Sequence, residues 1–571
     1  MESKRNFYSF FLTFLFAQPL MAQQGGIYSI SKSTISDRAM VVSPHPLSTQ
    51  VGLDILKKGG NAIDAAIAVQ FAMAVVYPRA GNIGGGGLMV LRKKDGSVDA
   101  LDYREKAPSA ANRDMYLDAQ GNVVPRLSIE GHLASGVPGT VAGMIAAHKK
   151  HGKLSFKALI QPAIDLAKNG YRITQGEVDR LNSNQAVFKK YNDQDNALVK
   201  AEPWKLGDLL VQSNLAATLK RIQKKGNAGF YKGKTADYIV AEMAKGQGLI
   251  SLDDLKNYKA RWRIPVEAKY KNYRIVSMPP PSSGGIIILQ LMKIMERYPL
   301  AEWGFQSLNA VHLMAEAERR VYADRALYMG DPDFAKVPQD SLLNAKYLRQ
   351  RMTNFNPTLA TPSKDILAGD FRSITKESFE TEHTSVVDAD GNAVAVTTTL
   401  NSNFGNKVMV HGAGFLLNNE MDDFSAKAGV PNQFGLVGSE ANSIQPNKRM
   451  LSAMSPTIVE KDGQLFLVIG APGGSTIITA VFQTMMNVIE FGMPLDEAIK
   501  AGRFHHQWLP DEIWVEKGAL TPELRKELEG LGHKFREVNY MAVVKAIMRL
   551  PNGQLHGAAD PRNPDDDAKG Y

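Results

Sequence analysis

Two short stretches rich in valine and threonine, separated by a polar turn, lie in the C-terminal third of the chain. They are Thr384 to Asp388 and Ala393 to Leu400, and Asp390-Gly391-Asn392 between them is typical of a tight turn. This pattern predicts a β-hairpin. The preceding residues, Ser363 to Glu380, are polar and charged without a sustained period, which predicts an exposed loop. Thr381 therefore lies where a loop meets the first strand of a hairpin.

The same patterns predict strands and helices along the rest of the chain. Strands are predicted at Ala39–Ser43, Leu88–Arg92, Val98–Tyr103, Ser455–Glu460 and Gln464–Gly470, and near Val543–Leu550 and Gln554–Ala558. Helices are predicted at Leu47–Lys58, Ala62–Val76, Thr140–His151, Phe156–Asn169, Thr235–Lys245, Ile286–Arg297, Ser307–Tyr328 and Ser475–Gly492, and near Asp496 and Glu523. Residues 140 to about 351 are predicted to be mainly helical and to cover one face of a sheet. Antiparallel strands with helices outside indicate an α+β fold, a four-layer αββα sandwich.

The N-terminal residues have the three-part layout of a secretory signal peptide. Lys4 and Arg5 precede the apolar run Phe7 to Phe16, which is too short to span a bilayer, and Ala22 is the expected cleavage point. No later stretch has the roughly 18 apolar residues of a membrane span. Residues 1–22 are therefore predicted to be removed, leaving a mature protein without a membrane anchor.

Composition limits the compartment and the chemistry. The 571 residues are 44% hydrophobic and 22% charged, as in ordinary soluble globular proteins, and no Pro/Ser/Gly-rich linker divides them. The formal charge of +9 is spread along the chain, which argues against nucleic-acid binding. Cysteine is absent, so there is no thiol nucleophile, thiolate metal site or disulfide. An exported protein without disulfides suggests the bacterial periplasm or exterior.

The position of Thr381 has a possible chemical use. A threonine hydroxyl needs a base beside it, and an N-terminal threonine carries one, because its α-amine has a reference pKa of about 7.7–8.0. Cleavage before Thr381 would create such a residue. The hairpin alone favours an ordinary strand threonine, since strands are rich in threonine.

Several motifs change that balance, and together they resemble the γ-glutamyltransferases. These are N-terminal-nucleophile hydrolases that cut themselves before a threonine. In chain order the motifs are H-P-L-S-T-Q-V-G (His45–Gly52), G-G-N-A-I-D-A-A (Gly59–Ala66), G-G-G-G-L-M-V (Gly84–Val90), D-Y-R-E-K-A-P (Asp102–Pro108), P-P-P-S-S-G-G (Pro279–Gly285), T-x-H-x-S-V-V-D (Thr381–Asp388), T-x-T-L-N (Thr397–Asn401), L-L-N-N-E-M-D-D-F (Leu416–Phe424) and G-A-P-G-G-S (Gly470–Ser475). Each motif alone is weak, but their ordered set is highly specific.

The resemblance implies a role for individual residues. Cleavage between Glu380 and Thr381 would leave a large piece, residues 23–380, and a small piece, residues 381–571, that together form one αββα fold. Thr381 would be the nucleophile, Thr399 would orient its hydroxyl, and the backbone N–H groups of Gly473 and Gly474 would form the oxyanion hole. The remaining implied residues bind the glutamyl head: Asn401, Glu420 and Asp423 hold the α-ammonium, and Arg104 and Ser452 hold the α-carboxylate.

Three positions depart from the family pattern. Ala453 replaces a second serine and removes one possible hydrogen bond to the carboxylate. Glu382 occupies a position that is usually small or uncharged, where it could raise the pKa of the Thr381 amine or face water. Ala428 to Ser439 match a lid loop, with Phe434 where tyrosine is frequent. A closing lid indicates small γ-glutamyl compounds rather than a polymer.

Other candidate sites are weaker. The glycine-rich stretch Gly81 to Gly87 lacks the lysine and Ser/Thr of a phosphate-binding loop and leads into a strand. His505-His506 carry no further metal-ligand motif, and the S-x-x-K of Ser373 and Lys376 lacks the partner motifs of penicillin-binding enzymes. No metal and no cofactor are expected.

The sequence thus predicts a secreted, self-processed γ-glutamyltransferase and glutathione hydrolase. Its expected partners are glutathione and other small γ-glutamyl compounds, amino acid or dipeptide acceptors, and water, and its two pieces are expected to form a heterodimer. One alternative is an amidase or acylase of the same fold that acts on another acyl group. The other is an unprocessed binding protein without catalytic activity.

Overall fold

The strands form two large sheets and two small ones. The computed structural model describes residues 32–192, 196–367 and 381–571. The strands are β1 (Lys32–Ser36), β2 (Met40–Ser43), β3 (Gly86–Arg92), β4 (Val98–Asp102), β5 (Tyr171–Arg172), β6 (Leu209–Leu210), β7 (Arg261–Arg263), β8 (Val266–Tyr270), β9 (Tyr273–Ser277), β10 (Glu382–Val387), β11 (Ala393–Thr399), β12 (Thr457–Lys461), β13 (Gln464–Gly470), β14 (Phe504–His505), β15 (Ile513–Glu516), β16 (Phe535–Val538), β17 (Lys545–Arg549), β18 (Leu555–Ala559) and β19 (Asp567–Gly570).

The helices occur mostly between residues 46 and 351 and again after residue 475. They are α1 (Pro46–Lys57), α2 (Ala62–Val76), α3 (Thr140–His151), α4 (Phe156–Asn169), α5 (Gln175–Tyr191), α6 (Ser213–Lys225), α7 (Ala228–Tyr231), α8 (Lys234–Lys245), α9 (Leu252–Asn257), α10 (Gly284–Met295), α11 (Leu300–Trp303), α12 (Leu308–Tyr328), α13 (Gln339–Leu342), α14 (Ala345–Arg351), α15 (Thr476–Ile489), α16 (Leu495–Lys500) and α17 (Pro522–Gly530).

Two seven-stranded antiparallel sheets form the centre of the fold. Sheet I has the order β1-β18-β17-β13-β12-β9-β8, and sheet II has the order β19-β2-β10-β11-β3-β4-β7. Strands β10 and β11 of sheet II pack against β13 and β17 of sheet I. Helices α2 and α3 contact sheet II from outside, and α10 and α15 contact sheet I. The layers therefore run helix, sheet, sheet, helix, which confirms the predicted αββα sandwich.

The first four residues of β11, Ala393 to Val396, form a continuous apolar run. Strand β11 is buried on both faces. Ala393 and Ala395 belong to the core between the sheets, and Val394 and Val396 belong to the core under the helices of sheet II. Successive side chains of a strand point to opposite faces, so a strand between two apolar layers needs apolar residues at every position.

The strongest helix predictions are also confirmed. Helix α2 has the predicted bounds and every one of its residues is buried. It begins with a capping box, in which the Asn61 side chain accepts a hydrogen bond from the Asp64 backbone N–H and Asp64 accepts one from that of Asn61. Helices α3 and α4 also match their predicted bounds.

The prediction that residues 140–351 are mainly helical and cover one face was wrong in part. Strands β7 to β9 interrupt the helices, and the chain passes from sheet II at β7 to sheet I at β8. Before this crossing α3 packs on sheet II and α4 packs on α2, and after it α10 packs on sheet I and α12 packs on α10. The strands were missed because each has only three to five residues and β7 and β8 are edge strands with several exposed positions.

The predicted signal peptide and residues 368–380 of the predicted loop lie outside the described residues. Over the three described ranges, no helix is long and apolar enough to cross a membrane.

Candidate active site

Thr381 lies between two cavities at one end of the hairpin. Thr381 is 5% exposed and directly precedes β10. The first cavity, about 510 Å³ including space open to solvent, is lined by Thr381 together with acidic and basic side chains. The second, about 380 Å³ on the same measure, is lined by Thr381, Glu382 and several basic residues. Of the predicted site residues, Arg104, Thr399, Asn401, Glu420, Asp423, Ser452 and Gly474 line the first cavity with Thr381, and Gly473 lines the second. Glu380, the other half of the predicted cleavage site, is outside the described residues.

The end of β11 brings Thr399 and Asn401 to Thr381. Strands β10 and β11 pair antiparallel, with Glu382 opposite Thr398, so the last residues of β11 lie beside the start of β10. Thr399 Oγ1 accepts a hydrogen bond of 2.7 Å from the Asn401 backbone N–H. Asn401 has a φ of +75°, a conformation that asparagine tolerates better than most residues, and its Nδ2 donates to the Asn419 carbonyl at 3.0 Å. The strand end is therefore held in place beside Thr381.

Arg104 organises the charged part of the first cavity. Its side chain follows β4 and is 1% exposed, and it forms short contacts with the carboxylates of Glu420 and Asp423. Nε of Arg104 also donates to the Met450 carbonyl at 3.4 Å, and Nη2 donates to the Leu451 carbonyl at 3.3 Å. The guanidinium is thus held by groups from two distant parts of the sequence.

Three carboxyl groups surround this one guanidinium. Burial raises the pKa of Glu420 well above its usual value although Arg104 opposes the rise, and burial likewise raises that of Asp423. Glu105, whose Oε2 is 3.7 Å from Arg104 Nη1, has its pKa raised by burial to about 8. A cluster with more acids than bases favours an additional cation.

The loop that carries Ser452 rests on the proline- and glycine-rich motif at residues 279–285. Ser283 donates to the Ser452 carbonyl from both its backbone N–H and its Oγ, each at 2.8 Å. Ser452 Oγ accepts from the Met454 backbone N–H at 3.1 Å. A Cβ on Gly284 would lie 2.0 Å from Ser455 Oγ, so glycine is required for this close approach. Ala453 lines the same cavity with a methyl group.

Gly473 and Gly474 form the turn before α15 and separate the two cavities. Their φ angles are +141° and +55°, in the region that favours glycine. A Cβ on Gly473 would lie 2.6 Å from Ala542 Cα, and a Cβ on Gly474 would lie 2.8 Å from the Phe434 ring. The backbone at these two residues therefore approaches Ala542 and Phe434 more closely than a residue with a Cβ would allow.

The predicted lid loop is closed over the first cavity. Asn432 Nδ2 donates to Asp423 Oδ1 at 3.2 Å, and the Gln433 backbone N–H donates to Asp422 Oδ2 at 3.1 Å. Phe434 packs on Gly474. The lid is thus anchored to the acids of the N-N-E-M-D-D-F motif. Burial raises the pKa of Asp422 to about 7.

Glu382 does not face water, so one of the two alternatives given for it in the sequence analysis, a solvent-exposed side chain, is excluded. It is 1% exposed and lies 3.9 Å from Arg79 Nη2 and 3.8 Å from Lys545 Nζ. Lys545 is fully buried and also contacts Asp566 at 2.9 Å. The acidic residue after Thr381 is therefore a counter-ion to buried basic residues beside the second cavity.

The adjacent histidines are held by hydrogen bonds. His505 Nδ1 lies 2.9 Å from Thr479 Oγ1 and its Nε2 lies 2.9 Å from Gln507 Oε1. Burial lowers the pKa of His505 to about 3 and that of His506 to about 4, so both are neutral at neutral pH. Within the part of the chain that the structure describes, no group of three or more potential ligands could hold a metal ion.

Two polar residues that line the first cavity, Arg325 and Asn432, and two acids that contact its residues or its lid, Glu105 and Asp422, were given no role from the sequence. Glu105 follows Arg104, Asp422 precedes Asp423, and Asn432 lies in the predicted lid loop. The sequence therefore marks these positions but does not assign a role to each side chain. Arg325 lies on helix α12 without a recognisable motif, and only its place in the fold brings it to the cavity.

A family model described as Gamma-glutamyltranspeptidase matches residues 48–570. The chain belongs to the γ-glutamyltranspeptidase family. A "Glutathione hydrolase proenzyme" of Escherichia coli (strain K12) is 49% identical to it over 536 residues, covering 94% of this chain and 92% of the relative. Among solved structures, a cephalosporin acylase from Bacillus halodurans matches with a TM-score of 0.82 at 26% identity, over 97% of this chain and 99% of that one. A Helicobacter pylori γ-glutamyltranspeptidase matches with a TM-score of 0.57 at 44% identity, over 61% of this chain and 100% of that one.

The γ-glutamyltranspeptidase family, the fold and the enzyme class predicted from the motifs are thereby confirmed. The match covers nearly the whole chain, and the relative from E. coli carries the word proenzyme in its name. The chain is an enzyme of this family, and the alternative of a binding protein without catalytic activity is not supported.

Proposed function

We propose that Thr381, freed by cleavage after Glu380, is the nucleophile that transfers or hydrolyses γ-glutamyl groups. The observation that carries this proposal is the shared cavity, in which Thr381 faces a guanidinium held between two carboxylates. An α-amino acid head group has one positive and one negative end, so it needs a site with both signs of charge. This cavity offers both beside the hydroxyl.

The glutamyl head binds by exchanging ion pairs. Without substrate, Arg104 neutralises Glu420 and Asp423. The incoming α-ammonium takes up these two acids and the Asn401 side chain, while Arg104 and Ser452 receive the α-carboxylate. The substrate head carries no net charge, so the total charge of the cavity is unchanged and each charged group keeps a partner.

The reaction then proceeds through an ester on Thr381. Oγ attacks the γ-carbonyl carbon, and its proton passes through the α-amine of Thr381 to the leaving amine as the amide C–N bond breaks. The N–H groups of Gly473 and Gly474 stabilise the negative charge on the carbonyl oxygen, and Thr399 orients the nucleophile. Water then releases glutamate, or the amine of an acceptor takes the γ-glutamyl group.

Cleavage would leave two pieces, residues 23–380 and 381–571, that stay together as a heterodimer. The topology supports this, because both large sheets combine strands from the two pieces: β10 pairs with β2 and β11 with β3 in sheet II, and β18 pairs with β1 and β12 with β9 in sheet I. Separating the pieces would break backbone hydrogen bonds along these strands. The pieces therefore need no covalent link.

The proposed donors are glutathione and other small γ-glutamyl compounds, since the relative from E. coli is named a glutathione hydrolase proenzyme. Amino acids or dipeptides are the proposed acceptors, and no cofactor takes part. The predicted signal peptide supports a periplasmic or secreted location. The closed lid, anchored on Asp422 and Asp423, fits a small donor.

Self-cleavage is tested by a denaturing gel and N-terminal sequencing of the purified wild type, Thr381→Ala and Thr381→Ser. We expect two wild-type pieces, the smaller beginning Thr-Glu-His, a single uncleaved chain for the alanine variant, and slower cleavage for the serine variant, which keeps a hydroxyl. A wild type that stays uncleaved, or a small piece that begins at another residue, would refute the assignment of Thr381 as the nucleophile.

A second candidate is an acylase, favoured by the similarity to the cephalosporin acylase structure. The two functions differ in the donor. A γ-glutamyl anilide presents an α-ammonium to Glu420 and Asp423, and a glutaryl anilide does not. We expect a clear preference for the γ-glutamyl donor, and a preference for the glutaryl donor would support the acylase.

A further inference from the structure

Arg325 is a buried guanidinium in the first cavity that the proposed reaction has not used. It lies near the end of α12 and is 5% exposed, and it lines the cavity together with Thr381 and Asp423. Its Nε donates to Ser283 Oγ at 2.9 Å. Among the described residues, this is the one hydrogen bond that its guanidinium makes, and no carboxylate lies within ion-pair distance of it.

Arg104 and Arg325 therefore differ in the number of guanidinium donors that are still free to form a hydrogen bond. The three nitrogens of the Arg104 guanidinium all have acceptors, namely two carboxylates and two backbone carbonyls. The two terminal NH₂ groups of Arg325 have none. Donors of a guanidinium that line a cavity and have no acceptor are available to an anion, and two parallel NH₂ donors match the two oxygens of a carboxylate.

The surroundings of Arg325 point to the carboxylate end of the substrate. Ser283, its hydrogen-bond partner, also holds the Ser452 carbonyl, so Arg325 is one side chain away from the loop proposed to bind the carboxylate. Ala453 in that loop contributes only a methyl group. Burial lowers the pKa of Arg325 to about 10, and the charge of Asp423 acts against this, so the guanidinium remains charged at neutral pH.

We propose that Arg325 is a specificity-determining residue whose terminal NH₂ groups bind the α-carboxylate of γ-glutamyl donors together with Ser452. The proposal rests on the proposed function of this cavity. It adds to the role proposed for Arg104: Arg325 contributes the second positive charge that an incoming carboxylate needs beside three acids. The ammonium and carboxylate share one carbon atom, so Asp423 and Arg325 must be neighbours, as they are in this cavity.

The test compares two donors that differ only in the α-carboxylate: γ-glutamyl-4-nitroanilide and 4-aminobutyryl-4-nitroanilide. For Arg325→Gln we expect kcat/KM to fall about 10- to 100-fold on the γ-glutamyl donor, the range for lost hydrogen bonds to a charged group, and to change little on the other donor. Arg325→Lys keeps the charge but not the paired donors, so a smaller loss on the γ-glutamyl donor alone is expected.

Arg320→Gln is the matched control. Arg320 is also buried on α12, but it donates to Glu316 and Asn354 and does not line the cavity. Its loss is expected to lower the thermal midpoint while leaving the ratio of kcat/KM for the two donors unchanged. Each variant is first checked for self-cleavage, and Arg325→Lys provides the comparison if Arg325→Gln does not fold.

Equal losses on both donors for the Arg325 variants, or no loss, would overturn the proposal. Failure of the proposed function gives a different result, because the wild type itself then stays uncleaved or shows no activity on γ-glutamyl donors. A wild type that uses both donors equally would show that no residue of the cavity selects the carboxylate, and would overturn the role of Arg325 as well.

Discussion

Asp423→Asn is the substitution that most directly tests the proposed binding of an ammonium group in the cavity. It removes one of the two carboxylates that contact Arg104 and replaces it with a side chain of nearly the same shape. The asparagine Oδ1 can still accept a hydrogen bond from Arg104 or from Asn432, whose Nδ2 now lies 3.2 Å from Asp423 Oδ1. The variant should therefore keep the geometry and lower the negative charge of the cavity by one.

The expected decrease in kcat/KM follows from the contact that Asp423→Asn removes. A hydrogen bond to a charged group contributes about 1.5–3 kcal/mol, and a factor of ten corresponds to about 1.4 kcal/mol. For a γ-glutamyl anilide, kcat/KM should thus fall about 10- to 100-fold. A glutaryl anilide has no ammonium, and burial disfavours the Asp423 carboxylate, as its raised pKa indicates. For that donor, kcat/KM should stay the same or rise.

The assay measures kcat/KM for both anilides on the self-cleaved enzyme. Asp422→Asn is the matched control, because Asp422 binds Ser128 and the lid rather than Arg104, so its loss should affect both donors alike. The ratio of the two kcat/KM values should drop at least about tenfold for Asp423→Asn alone. Similar changes on both donors would refute the assignment of Asp423 to the ammonium.

Three further predictions concern stability and are measured by urea unfolding of the uncleaved Thr381→Ala chain. Gly474→Ala should cost about 1–2 kcal/mol, because its φ is +55° and the new Cβ would lie 2.8 Å from Phe434; unchanged stability would contradict this turn. Glu382→Gln should cost about 1–3 kcal/mol, because buried Lys545 loses one of its counter-ions; a neutral effect would mean that the pair contributes nothing. Glu105 has its pKa raised from 4.5 to about 8, so the folded chain holds an extra proton between these values and stability falls as pH rises through them. Glu105→Gln should lack this decrease in stability between pH 5 and 8. Equal dependence of stability on pH in the two chains would refute the raised pKa of Glu105.

Much of the fold could be predicted because its longest elements are locally consistent. Helix α2 combines an asparagine cap, an acidic third position and 15 buried residues, and each of these features can be recognised in the sequence. The hairpin of β10 and β11 has β-branched strands and a glycine turn. By contrast, the short strands β7 and β8 are partly exposed, and nothing local marks the crossing between sheets that occurs there.

The motifs determined the family, and with it most of the residues around Thr381, because those residues stand in short stretches whose order is specific. The sequence alone could not decide what each charge faces. Arg104, Glu420 and Arg325 are far apart along the chain and meet only because two sheets and a helix converge on one cavity. Glu382 has a counter-ion role that depends on Lys545, 163 residues later, which reaches it across the two sheets. Burial and pairing of charges depend on which distant segments fill the space around them, so tertiary structure decided these features.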